Sequence, residues 1–222
     1  MNFQSSENNL VYLCLMQKED ITQPKAIDLA LPSGTLWADR NLGAESVTDY
    51  GDYYMWGSTE PDTGKICNWK YAPFNCGFKW CNPDILEVFR NEAFPNGVLS
   101  DQYDAAHVHL GGNWHMPTKE QFKELIDNTT SAWVYDYQGS GIKGRTFTSK
   151  KDSFKSIFIP ATGNRNGLTV LSVGSGAYLW SSTLNSGGPY DAYNLYFNSI
   201  HCDVYNLYRS FGYCVRPVSV RL

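Results

Sequence analysis

The chain predicts an α+β domain, on three observations. Two helix signals stand at residues 103–110 and 119–128. Beyond Asn128 the apolar segments are short, rich in aromatic and β-branched residues, and bounded by Gly, Asn or Ser. The two element types are segregated along the chain, which argues against alternating βαβ units and a parallel sheet. With 222 residues, 42% of them hydrophobic, the chain has material for one large domain or two small ones with a full core.

Residues 1–25 combine a polar start, a short apolar stretch at 9–16 (NLVYLCLM) and Pro24. The stretch lacks a basic flank and a small-residue cleavage site, so it reads as a strand in a tether, not a signal peptide. The domain is expected over 26–222. Residues 26–31 and 35–38 read as two strands around the Pro32-Ser33-Gly34 turn. Residues 50–57 (YGDYYMWG) are aromatic-dense and extended. Residues 58–100 carry Pro, Gly and Cys without a period and read as an irregular insertion, with a short helical turn at 84–89. The segment 103–110 (YDAAHVHL) stops at Gly111-Gly112, a normal helix end. Thr118 then caps 119–128, Gln121 holds the capping-box position, and Phe122, Leu125 and Ile126 form one apolar face. Strands are expected at 133–137, 145–149, 156–160, 178–182, 192–197, 204–208 and 213–218.

Composition narrows the function classes. Net charge is −4 and Lys and Arg form no run, which argues against nucleic acid or an acidic membrane as partner. No stretch of about 18 apolar residues exists to span a bilayer. The six cysteines do not follow zinc-site spacing. Cys67, Cys76 and Cys81 are either disulfide partners or small buried side chains.

The tail carries the strongest signal. After Trp180 there is no Lys, Glu, Gln, Met or Trp, although all five are common upstream. Residues 190–213 (YDAYNLYFNSIHCDVYNLYRSFGY) are dominated by Tyr and Asn. Tyr provides stiff, amphipathic contact area and Asn and Ser adaptable hydrogen bonds, the chemistry of a recognition surface. A half-exposed β-sheet favours part of the same composition. Catalysis has no obvious carrier, because no set of titratable residues converges in the sequence.

Other motifs weigh less. Residues 139–144 (GSGIKG) match GxGxxG, but a strand-like RTFTS follows where a phosphate-binding helix must begin, so a hairpin turn fits better. His107 and His109 lie two apart on a helix and point to different faces, so a shared metal is awkward, and His115 follows as a further surface histidine. Glu60-Pro-Asp62 is similar to the sugar-site tripeptide of calcium-dependent lectins, but no Trp-Asn-Asp partner follows. Calcium takes about six to eight oxygens and no such set can be assembled. No cofactor or metal is expected.

Six segments in order resemble one family: 27–44 (IDLALPSGTLWADRNLGA), 50–61 (YGDYYMWGSTEP), 104–125 (DAAHVHLGGNWHMPTKEQFKEL), 157–167 (IFIPATGNRNG), 178–182 (YLWSS), and 192–218 with Val215-Arg-Pro-Val218. Together they resemble the Bacteroidetes and Fibrobacter major-paralogous-domain group, in the formylglycine-generating-enzyme-like branch of the C-type lectin fold. His115 and Cys214 depart from that pattern, which often has Arg and Ser there. The resemblance implies a C-type-lectin-like domain with two helices and a β-rich C-terminal half.

It also implies kinship with the variable proteins of diversity-generating retroelements. There, error-prone copying at template adenines rewrites chosen codons near the C-terminus. Asn-type codons so rewritten cannot yield Lys, Glu, Gln, Met or Trp, which is the gap in this tail. The implied varied, ligand-binding positions are Tyr193, Asn194, Tyr196, His201, Asp203, Tyr205, Asn206, Leu207, Tyr208, Ser210, Phe211 and Tyr213, within a variable region of about 190–214. They are expected to form one exposed face on a scaffold fixed at Leu195, Phe197, Val204, Arg209, Gly212 and Val215–Val218. The function expected is a non-catalytic receptor or adhesin at a cell surface or on a phage virion, binding a protein or glycan on another cell, host or phage. A conventional lectin, or an oxidase using Cys202 or Cys214, are the alternatives.

Overall fold

A computed structural model describes residues 23–62, 93–188 and 190–220. The expected strand at 9–16, the turn at 84–89, and Cys67, Cys76 and Cys81 lie outside the described residues. In chain order the strands are β1 (Ala26–Asp28), β2 (Thr35–Ala38), β3 (Tyr54–Met55), β4 (Trp114–His115), β5 (Thr129–Val134), β6 (Gly144–Ser149), β7 (Ser156–Pro160), β8 (Asn164–Asn166), β9 (Thr169–Leu171), β10 (Gly176–Leu184), β11 (Asp191–Asn198), β12 (Cys202–Tyr208), β13 (Gly212–Tyr213) and β14 (Val218–Val220). Two α-helices, α1 (Ala105–Leu110) and α2 (Lys119–Asn128), accompany them.

The α+β class is therefore corrected. About 40% of the described chain is strand and 15% helix, arranged as four small antiparallel sheets. The architecture is mainly β. Both expected helices form, but α1 is only six residues long, because Asp104 is its N-cap and the helix begins at Ala105, not at Tyr103. α2 spans the predicted residues, and its capping box closes as read: Thr118 Oγ1 accepts from Gln121 N at 3.2 Å and Gln121 Oε1 accepts from Thr118 N at 2.8 Å. The expected strand 213–218 splits in two. Cys214 forms a lone parallel bridge to Leu179, and Arg216 turns into the interior.

The sheets run β1-β2-β14-β4, β3-β13-β8-β9, β5-β6-β7 and β10-β11-β12. The last organises the rest. Its register sets Ala177 opposite Phe197 and Phe197 opposite Cys202, with Leu179, Leu195 and Val204 in the next row on the same face. That face packs on Trp37, Phe122, Leu125, Phe147, Ile157 and Ile159 in one apolar core. The other face sets Trp180, Leu184 and Ala192 among Trp56, Phe94, Leu99, Ala105, Met116 and Val215 in a second. A sheet buried on both faces must be apolar on both, so strict alternation disappears from β10. This explains why its sequence reads as a run and not as a clean period.

Polar groups fix the packing between strands. The Trp180 indole donates to Tyr54 O and the Trp56 indole to Ser181 O, each at 2.8 Å, joining β10 to β3 and the residue that follows it inside the second core. The buried Arg216 donates to Asn41 Oδ1, Ala38 O and Phe158 O at 2.8–3.1 Å. Arg209 is also buried, with its guanidinium 5.7 Å from the Trp56 ring centroid. Both arginines are scaffold. Gly163 adopts φ +67°, and any Cβ there would collide with Leu171 O, so glycine is required where the β8–β9 hairpin meets β10.

Leu195 is fully buried on the middle strand. Leu195→Ala is expected to cost about 2–5 kcal/mol by urea denaturation. A loss under about 1 kcal/mol would contradict the two-sided packing of β11.

Candidate functional site: the β11–β12 hairpin

β11 and β12 join through the three residues Ser199, Ile200 and His201, with Asn198 N donating to His201 O at 2.9 Å. Neither Ser199 nor Ile200 has positive φ, so this is not one of the primed turns that tight hairpins favour. The Asn198 side chain holds it instead. Its Oδ1 accepts from Ile200 N and His201 N at 2.8 and 2.7 Å, and its Nδ2 donates to Tyr196 Oη at 2.8 Å. The buried Arg145 donates to Asn198 O at 2.8 Å, tying the tip to β6. The hairpin tip is braced both by its own side chains and from β6.

β12 is the outer strand of its sheet among the described residues. Asp203, Tyr205, Asn206 and Tyr208 are exposed, whereas Cys202, Val204 and Leu207 are half-buried toward the two cores. Tyr205 and Asn206 are adjacent and both open, which an outer strand permits and a central strand does not. His201 is exposed at the tip. Tyr193, Tyr196, Ser210 and Phe211 are half-buried. Tyr193 lies under Lys119 Nζ, 4.5 Å from the ring centroid.

Two expected positions are corrected. Asn194 is 0% and Tyr213 1% exposed. Asn194 faces the second core, level with Trp180, and its Nδ2 reaches Tyr205 O at 3.4 Å. Tyr213 stacks on Trp180 at 4.1 Å and on Tyr178 at 5.0 Å. Burial drives its phenol pKa far above the ordinary value. Composition could not separate these two from their neighbours, because an Asn or Tyr spells the same on either face. The pleat decides.

Tyr213 is the root of an aromatic ladder. From Trp180 and Tyr213 it passes through Tyr178 to Tyr196 at 4.7 Å, and from Tyr196 edge-on to Tyr205 at 5.8 Å. A second arm runs from Tyr213 to Phe211 at 6.1 Å and on to Tyr208 at 5.9 Å. The arms end in Tyr205 and Tyr208, 45% and 59% exposed. Aromatic surface is thus held rigidly from below and offered to solvent above, the arrangement that makes Tyr an efficient anchor. Sequence reasoning missed Tyr178, which joins Tyr213 to Tyr196 in the first arm, and Ile200, 80% exposed at the tip. An apolar residue between the turn-forming Ser199 and His201 is the signal for Ile200.

The thiols are poor nucleophiles. Cys202 and Cys214 are free cysteines, and burial pushes them to about 11 and about 12, so little thiolate exists near neutral pH.

Elsewhere His107 and His109 diverge, as their spacing on a helix requires. His107 stacks on His115, with centroids 4.7 Å apart. His109 instead contacts Thr59 O at 2.7 Å and the Tyr54 ring. The Asp104 carboxylate pushes the His115 pKa up against the opposing pull of burial, with Asp101 adding to the rise.

No protein-family model, curated protein or solved structure matches the chain. No helix among the described residues is long and apolar enough to cross a membrane.

Tyr205→Ser and Tyr208→Ser are each expected to change folding stability by under about 0.5 kcal/mol. Tyr213→Ser is expected to cost about 3 kcal/mol or more, as for loss of a buried ring. Equal costs at all three sites by chemical denaturation would contradict the ladder.

Proposed function

We propose that the chain is a non-catalytic binding protein. Its contact surface is the outer side of the β11–β12 hairpin, and its ligand is a protein or glycan carried by another cell, host or phage. The observation that carries this reading is the braced hairpin, whose exposed positions are Tyr, Asn, Asp, His and Ile above a buried aromatic ladder. Tyr205 and Tyr208 are the anchors. His201, Asp203 and Asn206 are the adaptable polar contacts around them. Tyr193, Tyr196, Leu207, Ser210 and Phe211 contribute their half-exposed edges.

Kinship with retroelement-diversified variable proteins belongs to this proposal. Its support is the missing residue set after Trp180. A hairpin whose exposed side chains touch neither core suits such diversification, since outward exchange leaves the packing alone. The raised thiol pKa values weigh against an oxidase. Display at a cell surface or on a virion follows from a partner on another cell, host or phage.

Sequencing the coding locus across many independent isolates, with its neighbourhood, tests the proposal. Amino-acid changes should concentrate at the codons for His201, Asp203, Tyr205, Asn206 and Tyr208. Leu195, Phe197 and Tyr213 should stay constant, and a reverse-transcriptase gene and a template copy of the tail should lie nearby. Changes spread evenly along the chain, with no such neighbours, would overturn the diversification reading.

A further inference from the structure

We propose that Asp101, His107 and His115 bind one divalent transition-metal ion of the zinc class. Three adjoining elements bring them together. Asp101 opens a 3-10 turn (Asp101–Tyr103), His107 lies on α1 and His115 on β4. One ligand atom from each lies within 4.8 Å of the others. His107 Nε2 is 3.7 Å from Asp101 Oδ2, and His115 Nδ1 is 3.8 Å from Asp101 Oδ1. The stacked rings, 13° from parallel, therefore each turn a nitrogen toward one carboxylate.

These separations are too long for hydrogen bonds. They suit a shared ion. Bonds of about 2.0–2.2 Å in tetrahedral geometry leave neighbouring ligand atoms roughly 3.4 Å apart, so the set is completed by a small closing of the side chains together with rotation of the stacked rings, which brings both in-plane lone pairs onto one point. Nε2 of His107 is the nitrogen that faces Asp101 and is its ligating atom.

The cluster is held from behind. Asp104 is buried, and its Oδ1 accepts from His107 N at 3.0 Å. Both of its oxygens accept from Met116 N, at 3.0 and 2.8 Å. One carboxylate thus sets the backbone beside both histidines. Its Oδ2 also lies 3.7 Å from the same His115 Nδ1, which places a second, buried negative charge beside the ion site. Two imidazoles and one carboxylate suit zinc-class ions, not calcium, which takes about six to eight oxygens. Asp101 is largely exposed, so a water can take the remaining position. The ion would clip the 3-10 turn and α1 to β4, and through β4 to the four-stranded sheet.

The chain has four histidines, so imidazole NMR of the full-length, chelator-stripped protein reads each one. Titration with zinc chloride should shift the His107 and His115 resonances to saturation at one equivalent and leave His109 and His201 unmoved. Asp101→Asn, a surface change, should weaken zinc affinity at least tenfold. Zinc should raise the Tm of the wild-type chain but not that of the double variant His107→Asn/His115→Asn. The proposal is overturned by absence of saturable binding, or by a response confined to His109 or His201. Unchanged affinity in a folded Asp101→Asn chain overturns it, as does a thiolate charge-transfer band in the cobalt-loaded protein, which would assign the metal to cysteines. The wild-type spectra decide the question even if a variant does not fold.

Discussion

Burial of β10 and β11 on both faces is the constraint on which the rest depends. Ala177, Leu179, Leu195 and Phe197 fill one core while Trp180, Leu184 and Ala192 fill the other. Slipping β11 by one residue would exchange these two sets and place Asn194 among the leucines, so the register is strongly specified from both sides. A hairpin locked in this way can carry its outer strand into solvent without depending on that strand's exposed side chains. The two halves of the account meet here: the packing that fixes the backbone is what frees Asp203, Tyr205, Asn206 and Tyr208 from structural duty.

Polar chemistry sets the remaining geometry. The packed strands leave few backbone groups open, and the buried cations satisfy several that would otherwise be stranded. Arg216 serves carbonyls of two separate sheets, and Arg145 serves the tip of the hairpin. Asp104 does the converse with the backbone amides of His107 in α1 and Met116 just after β4. Removing such a partner strands a buried group, which costs more than the bond itself contributes. The variable-looking tail is therefore interleaved with residues that cannot vary.

Much of this was legible in the sequence, for identifiable reasons. The α2 helix was readable because Thr118, Gln121 and the Phe122/Leu125 face are local signals. The positions of β6, β7, β11 and β12 were readable from short apolar runs between turn residues. His201, Asp203, Tyr205, Asn206 and Tyr208, expected to face outward, are exposed. The class was misjudged as α+β because two clear helix signals outweighed many short strands that carry no strong local signature; β8 and β9 were missed altogether. Asn194 and Tyr213 were misplaced because exposure depends on the pleat and on the partner across the sheet, and neither is written in composition. The His107–His115 pair was missed because Gly111-Gly112 fold the chain back, making neighbours of residues on different elements.

The account's central claim is that the hairpin backbone is independent of its outward side chains. The direct measurement is a crystal structure, with amide exchange, of a chain carrying His201→Tyr, Asp203→Asn, Tyr205→Ser, Asn206→Asp and Tyr208→His together. The account predicts the same β11–β12 register, a backbone displaced by less than about 1 Å, as is usual for preorganised binding surfaces, and undiminished protection of the Leu195 and Phe197 amides. A slipped register, or loss of that protection, would contradict it.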